Sequence, residues 1–362
     1  MSVRGFGFPR YQYSTKRAFC KVLFLPKGRK RENDLPNERI RAIIINRKRT
    51  RPTERGKNAV KKQSVQENNA SPRPLDATFA VSLLPTRPDD GNKGTFGRAL
   101  LFCGSEAYRG AACLAAEGAL AGGAGLVEIA SCESAVSLVL SRAPSVVGTA
   151  YVPSEIGAYL PLKLTEKATA VLVGCGSGRS ERLCLSLYEL LNTPGCPVVL
   201  DADALNSLAL KRETSLDRLK AAARPVILTP HPLEFSRLSG LTPETIAADR
   251  AGVASNFAKE YGVTLVLKGK GTVIAAPDGA LAVNTTGGSG LAKGGSGDVL
   301  AGLTVSLLAS GLSPFAASTL AVYLHGAAGD ALSREYSAIG VRPDDLPREI
   351  SRQAARLFVS RD

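Results

Sequence analysis

Histidine is almost missing from this chain: its 362 residues include two, at positions 231 and 325. The seven cysteines, at 20, 103, 113, 132, 175, 184 and 196, contain no C-x-x-C pair. A structural zinc site needs clustered thiolates and imidazoles, and a disulfide framework needs a short cysteine-dense chain. Both are excluded, and a reducing interior fits the cysteine usage. Also lacking is any apolar run of about eighteen residues free of charge, so no membrane-spanning helix and no membrane partner are expected.

Acidic residues are scarce in one region only. Residues 1–75 hold 20 Lys+Arg against 5 Asp+Glu, a net of +15; the remainder holds 26 against 27, a net of −1, and together they give the +14 of the whole chain. The basicity is therefore a property of a tail. Its stretches "KGRKREND" and "NRKRTRPTERGKNAVKK" have little apolar periodicity, and "CKVLFL" and "AIII" are the exceptions. Residues 1–75 are accordingly expected to form a basic, largely disordered extension. Three roles stay open for it: a solvated extension or unused upstream start, a basic arm on polyanions, and an organelle transit peptide, which the absence of acids before Glu32 allows. A cytoplasmic location is expected if the tail carries no address. Residues 76–362 are long enough for one large core and are read as a single domain.

From about residue 95 the texture becomes short apolar runs separated by Ala/Gly-rich helical stretches. "RALLFCG", "GLVEIA", "AVLVGCG", "PVVLDAD" and "PVILTPH" read as strands, with helices such as "GAACLAAEGALAGG" and "ERLCLSLYELLNT" between them. Near-continuous apolar strands alternating with helices predict an α/β protein: a three-layer α/β/α sandwich around a mostly parallel sheet. "VTLVLKG", "GTVIAAP" and "ALAVNTT" predict an antiparallel meander on one side. Ligands of such sheets bind beyond the carboxyl ends of the strands, where this sequence places Gly104 and Ser105, Gly174 to Gly178, Asp201, Asp203, and Thr229 to Glu234.

The stretch "NTTGGSGLAKGGSGDVLAG", residues 284 to 302, gives up side chains around one lysine and one aspartate. Successive glycines let backbone N–H groups converge on an anion, and the buried helix predicted to follow adds a favourable field for phosphate. Gly294, Gly295, Ser296 and Gly297 are the candidate anion hole. Asp298 is either a base for a hydroxyl attacking phosphorus or a helix N-cap. The stretch is not a Walker A loop, because Lys293 is followed by Gly294. Lys293 itself meets either phosphate or a neighbouring acid. Asp201 and Asp203 are expected to point the same way along a strand, toward a shared magnesium region, although Asp203 equally suits a helix cap.

"GTFGRALLFCGSEAYRGAA", "VLDADALN", "LTPHPLEFSRL", "LKGKGTVIAAPDG", "GGSGLAKGGSGDVLAG" and "AVYLHGAAGD" occur in this order from about residue 93 onward. Together they resemble the ADP-dependent NAD(P)H-hydrate dehydratases of the ribokinase-like superfamily. The resemblance implies an enzyme, a hydro-lyase, that restores NADH and NADPH from their S-epimer hydrates by ADP-driven phosphorylation of the hydroxyl and loss of phosphate. It implies Asp298 as base; Ala111, Gly178, His231 and Asp298 as substrate contacts; and Lys268, Gly269, Lys270, Gly271, Thr272 and Gly297 as nucleotide contacts. Glu234 takes the place of an acid near Mg²⁺, acting through water, while a helix-start role is its structural alternative. Cys175 and Ser177 depart from the family's Gly-Pro-Gly-x-Gly loop. His325 is read as structural. The implied partners are ADP as co-substrate, Mg²⁺, a separate NAD(P)H-hydrate epimerase, and further copies of the chain in a homotetramer. A ribokinase-like kinase of a sugar or a hydroxymethylpyrimidine is the alternative, since fold similarity does not choose a substrate. A polyanion-binding protein built on a retired scaffold is a further one, though nucleic-acid binding is not expected of the globular part.

Overall fold

A computed structural model describes residues 72–152 and 160–361. The extension expected over residues 1–75 lies outside the described residues as far as residue 71. Its last three residues are not extension: Arg73–Leu75 form β1, paired with a later strand, and Leu75 is fully buried. The boundary expected at residue 75 therefore moves back. A single apolar side chain among prolines and charges gave too weak a pattern to mark it. Pro74 is tolerated because β1 lies on a sheet edge.

Nine further strands follow: β2 (Arg98–Phe102), β3 (Leu126–Ser131), β4 (Val147–Ala150), β5 (Ala170–Val173), β6 (Val198–Leu200), β7 (Val226–Leu228), β8 (Thr264–Leu267), β9 (Val273–Ala275) and β10 (Leu281–Asn284). They form one sheet in the order β1-β10-β9-β8-β7-β6-β5-β2-β3-β4. Every pairing is parallel except β8 with β9 and β9 with β10, so a single strand runs against the rest. The predicted meander is β8 to β10, its first turn being the lysine and glycine loop after Leu267.

Alternation along the strands divides the core in two. Ala99, Leu101, Ile129, Leu172, Val199 and Ile227 face one layer, which includes helices Arg109–Ala121, Ser296–Ala309 and Pro314–Gly340. Leu100, Phe102, Val171, Val173, Leu200 and Leu228 face the other, which includes helices Glu181–Asn192, Pro232–Ser239 and Arg250–Tyr261. The expected three-layer α/β/α sandwich is thus built from period-two burial on both faces of a mostly parallel sheet. No helix among the described residues is long and apolar enough to cross a membrane.

One helix pair seats the functional site. A β-carbon at Gly302 would lie 2.0 Å from the Ala115 carbonyl oxygen, and one at Gly118 would lie 2.3 Å from that of Val299. The two helices therefore touch backbone to backbone, and the Ser296 helix is held at a fixed depth against the sheet. Gly302→Ala must push this helix outward. It should destabilise the fold by about 2 kcal/mol or more in urea titration, with a parallel loss of whatever activity Asp298 supports; an unchanged midpoint would show that the pair relaxes freely.

Candidate active site

Five parallel strands end side by side and each delivers a group to one crevice. β2 is followed by Cys103 and Gly104, β5 by the Gly174 to Gly178 loop, β6 by Asp201, β7 by Thr229 and His231, and β8 by Lys268. The amide of Lys268 donates to the Pro230 carbonyl at 2.9 Å, which ties the "TPHP" turn to the lysine loop.

Lys268 is the centre of the cluster. Its Nζ donates to Asp201 Oδ1 at 2.7 Å and lies 3.9 Å from Glu234 Oε2. A β-carbon at Gly297 would lie 3.5 Å from the same ammonium, so it also borders the glycine turn. Burial alone would favour the neutral amine, but the carboxylates of Asp201 and Glu234 outweigh it and hold the Lys268 pKa above its ordinary value. Asp201 Oδ1 accepts a second hydrogen bond, from Thr229 Oγ1 at 2.7 Å.

The glycine turn differs in detail from expectation. Gly295, at φ 97°, is the residue that precedes the helix, so Asp298 occupies its third position and caps nothing. The Ser296 amide donates to the Lys293 carbonyl at 3.2 Å and the Asp298 amide to that of Gly295 at 3.1 Å. Of the four residues expected to form an anion hole, Ser296 thus has its amide engaged, while the amides of Gly294, Gly295 and Gly297 have no protein acceptor among the described residues. Ser296 is committed elsewhere: its carbonyl and hydroxyl lie 3.0 and 3.2 Å from Nε2 of buried His325. A carbonyl can only accept, so Nε2 carries the proton. Burial lowers the His325 pKa to about 4, and the ring is neutral at ordinary pH. His325 is structural, as read from the sequence, but the structure it serves is the mouth of this helix.

Asp298 is partly buried. Burial, followed by the neighbouring Asp201 carboxylate, raises its pKa to about 7, against the pull of Cys175 and Lys268. A carboxylate so placed is poised to accept a proton near neutrality.

Other expected residues fall into place differently. Asp203 does not point with Asp201, because Ala202 takes φ 46° and breaks the strand; Asp203 Oδ2 instead accepts from the Gly178 amide at 2.9 Å. Gly178 opens on free space, and Ala111 packs beside Gly176 at the start of its helix. His231 caps the Pro232 helix: its Nδ1 accepts from the amides of Leu233 and Glu234, at 3.1 and 3.3 Å, while Glu234 Oε2 accepts from the His231 amide at 2.9 Å. Nε2 then carries the hydrogen, and burial followed by the Lys268 charge lowers the ring's pKa. In the lysine loop, Thr272 Oγ1 donates to the Gly269 carbonyl at 2.9 Å, Gly271 takes φ 65° and Lys270 is exposed. Lys293 has no acidic partner among the described residues: its Nζ donates to the carbonyls of Ile339, at 2.5 Å, and Val341.

For a divalent cation, ligand atoms of Cys175, Asp201 and Asp298 all lie within 4.8 Å of one another. A thiol is a poor partner for a hard ion, so the oxygens of Asp201 and Asp298 are the donors that fit Mg²⁺. Glu234 is engaged in its capping box and suits contact through water. Cys175 was seen in the sequence only as a departure in a glycine loop. Its thiol is fully buried, 3.8 Å from Asp201 Oδ2, and its pKa is pushed well up by the Cys103 thiol and by burial.

Residues 99–352 match the family model described as NAD(P)H-hydrate dehydratase. The ADP-dependent (S)-NAD(P)H-hydrate dehydratase of Bacillus subtilis is 37% identical over 255 residues, which are 70% of this chain and 88% of that protein. The bifunctional NAD(P)H-hydrate repair enzyme of Moorella thermoacetica is 38% identical over 280 residues, 76% of this chain and 52% of that one. The chain thus spans about half the length of such bifunctional relatives. A crystal structure of the ADP/ATP-dependent NAD(P)H-hydrate dehydratase from Bacillus subtilis, co-crystallized with ATP/Mg²⁺, superposes with a TM-score of 0.70 at 33% identity, covering 79% of this chain and 98% of the other.

The raised pKa of Asp298 has a consequence for stability. The folded state holds this proton more tightly than the unfolded chain does, so ionisation costs stability as pH rises from about 4 to about 7 and the cost is constant above. Asp298→Asn removes the buried charge. Its melting temperature should exceed that of the wild type near pH 8, by the equivalent of about 2 kcal/mol, and the gain should vanish near pH 4. A gain independent of pH would show that Asp298 is not held in this way.

Proposed function

Since the chain belongs to the NAD(P)H-hydrate dehydratase family, ribokinase-like in fold, we propose that it catalyses the ADP-dependent dehydration of S-epimer hydrates of NADH and NADPH. The observation that carries this reading is the meeting of Asp298, Lys268 and three uncommitted glycine amides at one helix mouth.

The chemistry follows from those groups. Hydroxide leaves a reduced pyridine ring poorly, and phosphate leaves well. Ionised Asp298 takes the proton of the ring hydroxyl as its oxygen attacks the terminal phosphorus of ADP; the bond from that phosphorus to the bridging oxygen breaks and AMP departs. The amides of Gly294, Gly295 and Gly297 hold the oxygens of the phosphoryl group in flight, and the Lys268 ammonium offsets their charge. Loss of phosphate, together with a proton from the adjacent ring carbon, then restores the double bond. Mg²⁺ bound near Asp201 and Asp298, with Glu234 reached through water, would supply charge neutralisation for the nucleotide. His231, whose Nε2 lies 3.4 Å from Glu234 Oε1, contacts the hydrated ring, with Ala111 and Gly178 at the same mouth. Residues 268–272 hold the nucleotide. A separate epimerase would supply the S form, and a homotetramer is the assembly we assign to the chain.

Purified protein mixed with Mg²⁺, hydrated NADH and ADP should regain the absorbance of the reduced nicotinamide. Absence of recovery with both ADP and ATP refutes the reading and favours a kinase of another alcohol. Because only ionised Asp298 accepts the proton, kcat should fall as pH drops through the pKa of this carboxylate, which bound Mg²⁺ would draw below the value of about 7 of the metal-free site. Asp298→Asn should lower kcat by about a hundredfold or more while ADP binding, followed by calorimetry, is retained. A flat pH profile together with an active Asp298→Asn variant would remove Asp298 from the chemistry.

A further inference from the structure

Arg250 has no place in the sequence motifs or in the steps above, yet its guanidinium lies beneath the lysine loop. Nη2 donates to the carbonyls of Leu267 and Lys268 at 2.9 and 3.1 Å, and Nη1 donates to that of Lys270 at 3.1 Å. Nε is buried without a partner. Burial lowers the Arg250 pKa and no neighbouring carboxylate counters it. The residue is therefore a cation solvated by three carbonyl dipoles and without a counter-ion among the described residues.

The loop is shaped around this cation. Gly269 takes φ 141°, and a β-carbon there would lie 2.7 Å from Nη1. In a trans peptide the N–H points opposite to the preceding carbonyl. Carbonyls 268 and 270 are turned toward Arg250, so the amides of Gly269 and Gly271 are turned away from it. Neither amide has an acceptor among the described residues. The amide of Lys268, also turned away, is the one bonded to Pro230.

We infer that Arg250 is the positioning residue of the nucleotide segment: it draws carbonyls 267, 268 and 270 inward, presents the Gly269 and Gly271 amides outward, and leaves a positive charge that the anion of a nucleoside diphosphate completes. The inference rests on the reading of residues 268–272 as that segment. It separates two functions that share one loop. Lys268 faces the reacting groups through its side chain, whereas Arg250 acts through the backbone and never meets the hydrated ring. Lysine cannot replace arginine here, since one ammonium does not span three carbonyls in a planar fork.

The test is a comparison of the wild type with Arg250→Lys and with Arg250→Gln, which keeps a planar amide donor but removes the charge. ADP affinity by calorimetry and steady-state constants for both substrates are measured. Each variant should raise the Kd and KM for ADP by about tenfold or more, the loss expected when charge-assisted hydrogen bonds to the loop are broken. KM for hydrated NADH should stay within about twofold and kcat at saturating ADP within about threefold, because the Asp298 end is untouched. A merely structural role would lower melting temperature and kcat and shift both KM values together, and that pattern would overturn the inference. Wild type that binds ADP, with Arg250→Lys binding it equally well, would overturn it while sparing the parent reading. Wild type that binds neither ADP nor ATP would remove both.

Discussion

The contact between Lys268 and Asp201, at 2.7 Å, is the interaction on which the crevice depends. Both side chains are largely shielded from water, Asp201 almost completely, so neither charge would be tolerated without the other. The pair also joins the ends of β6 and β8 across the intervening β7, whose Thr229 hydroxyl donates to the same carboxylate oxygen. Three strand ends are thereby locked in register at the point where a ligand must enter. Buried ion pairs contribute little net stability. What this one provides is a cation at a fixed place, 3.9 Å from Glu234 and beside the glycine turn.

That placement sets the behaviour of Asp298. A carboxylate in the first turn of a helix normally has its charged form favoured by the unpaired amides and the helix dipole. Here burial and the Asp201 charge work the other way and leave Asp298 near pH 7. Lys268 is close enough to temper this shift, yet it is already engaged by Asp201 and cannot turn fully toward Asp298. The result is a carboxylate that is neither permanently ionised nor permanently protonated near neutral pH. Backbone contact between the two glycine-bearing helices keeps it at this depth.

Much of this architecture was legible in the sequence, for definite reasons. Apolar runs ending in small or polar residues marked β2, β3 and β5 to β7, and residues after β2 and β5 to β7 lie at neighbouring strand ends. The glycine turn was legible because positive φ and close approach demand glycine. Side-chain destinations were not. Asp201 and Asp203 read as a same-facing pair until Ala202 took a left-handed conformation that no residue type announced. Lys293 read as a phosphate or acid contact, but it holds carbonyls 339 and 341, a partner more than forty residues away in sequence. Arg250 left no local signal at all, since its importance lies in carbonyls, which every residue has. β1 was hidden because one buried leucine does not make a period.

The scarcity of histidine gains its meaning at this site. Both histidines of the chain support a helix start: His231 caps the Pro232 helix through Nδ1, and His325, from the middle of the Pro314–Gly340 helix, braces the Ser296 helix through Nε2. In each case burial disfavours the imidazolium, His325 falling to about 4. The nearby Lys268 charge presses both in the same direction. The two rings thus add hydrogen-bonding direction without adding charge. A protonated histidine at either position would place a second cation near Asp298 and draw its pKa down, leaving a weaker base. Neutral rings leave the electrostatic balance to Lys268 and the surrounding carboxylates. The Lys293 ammonium is likewise engaged, by the carbonyls of Ile339 and Val341.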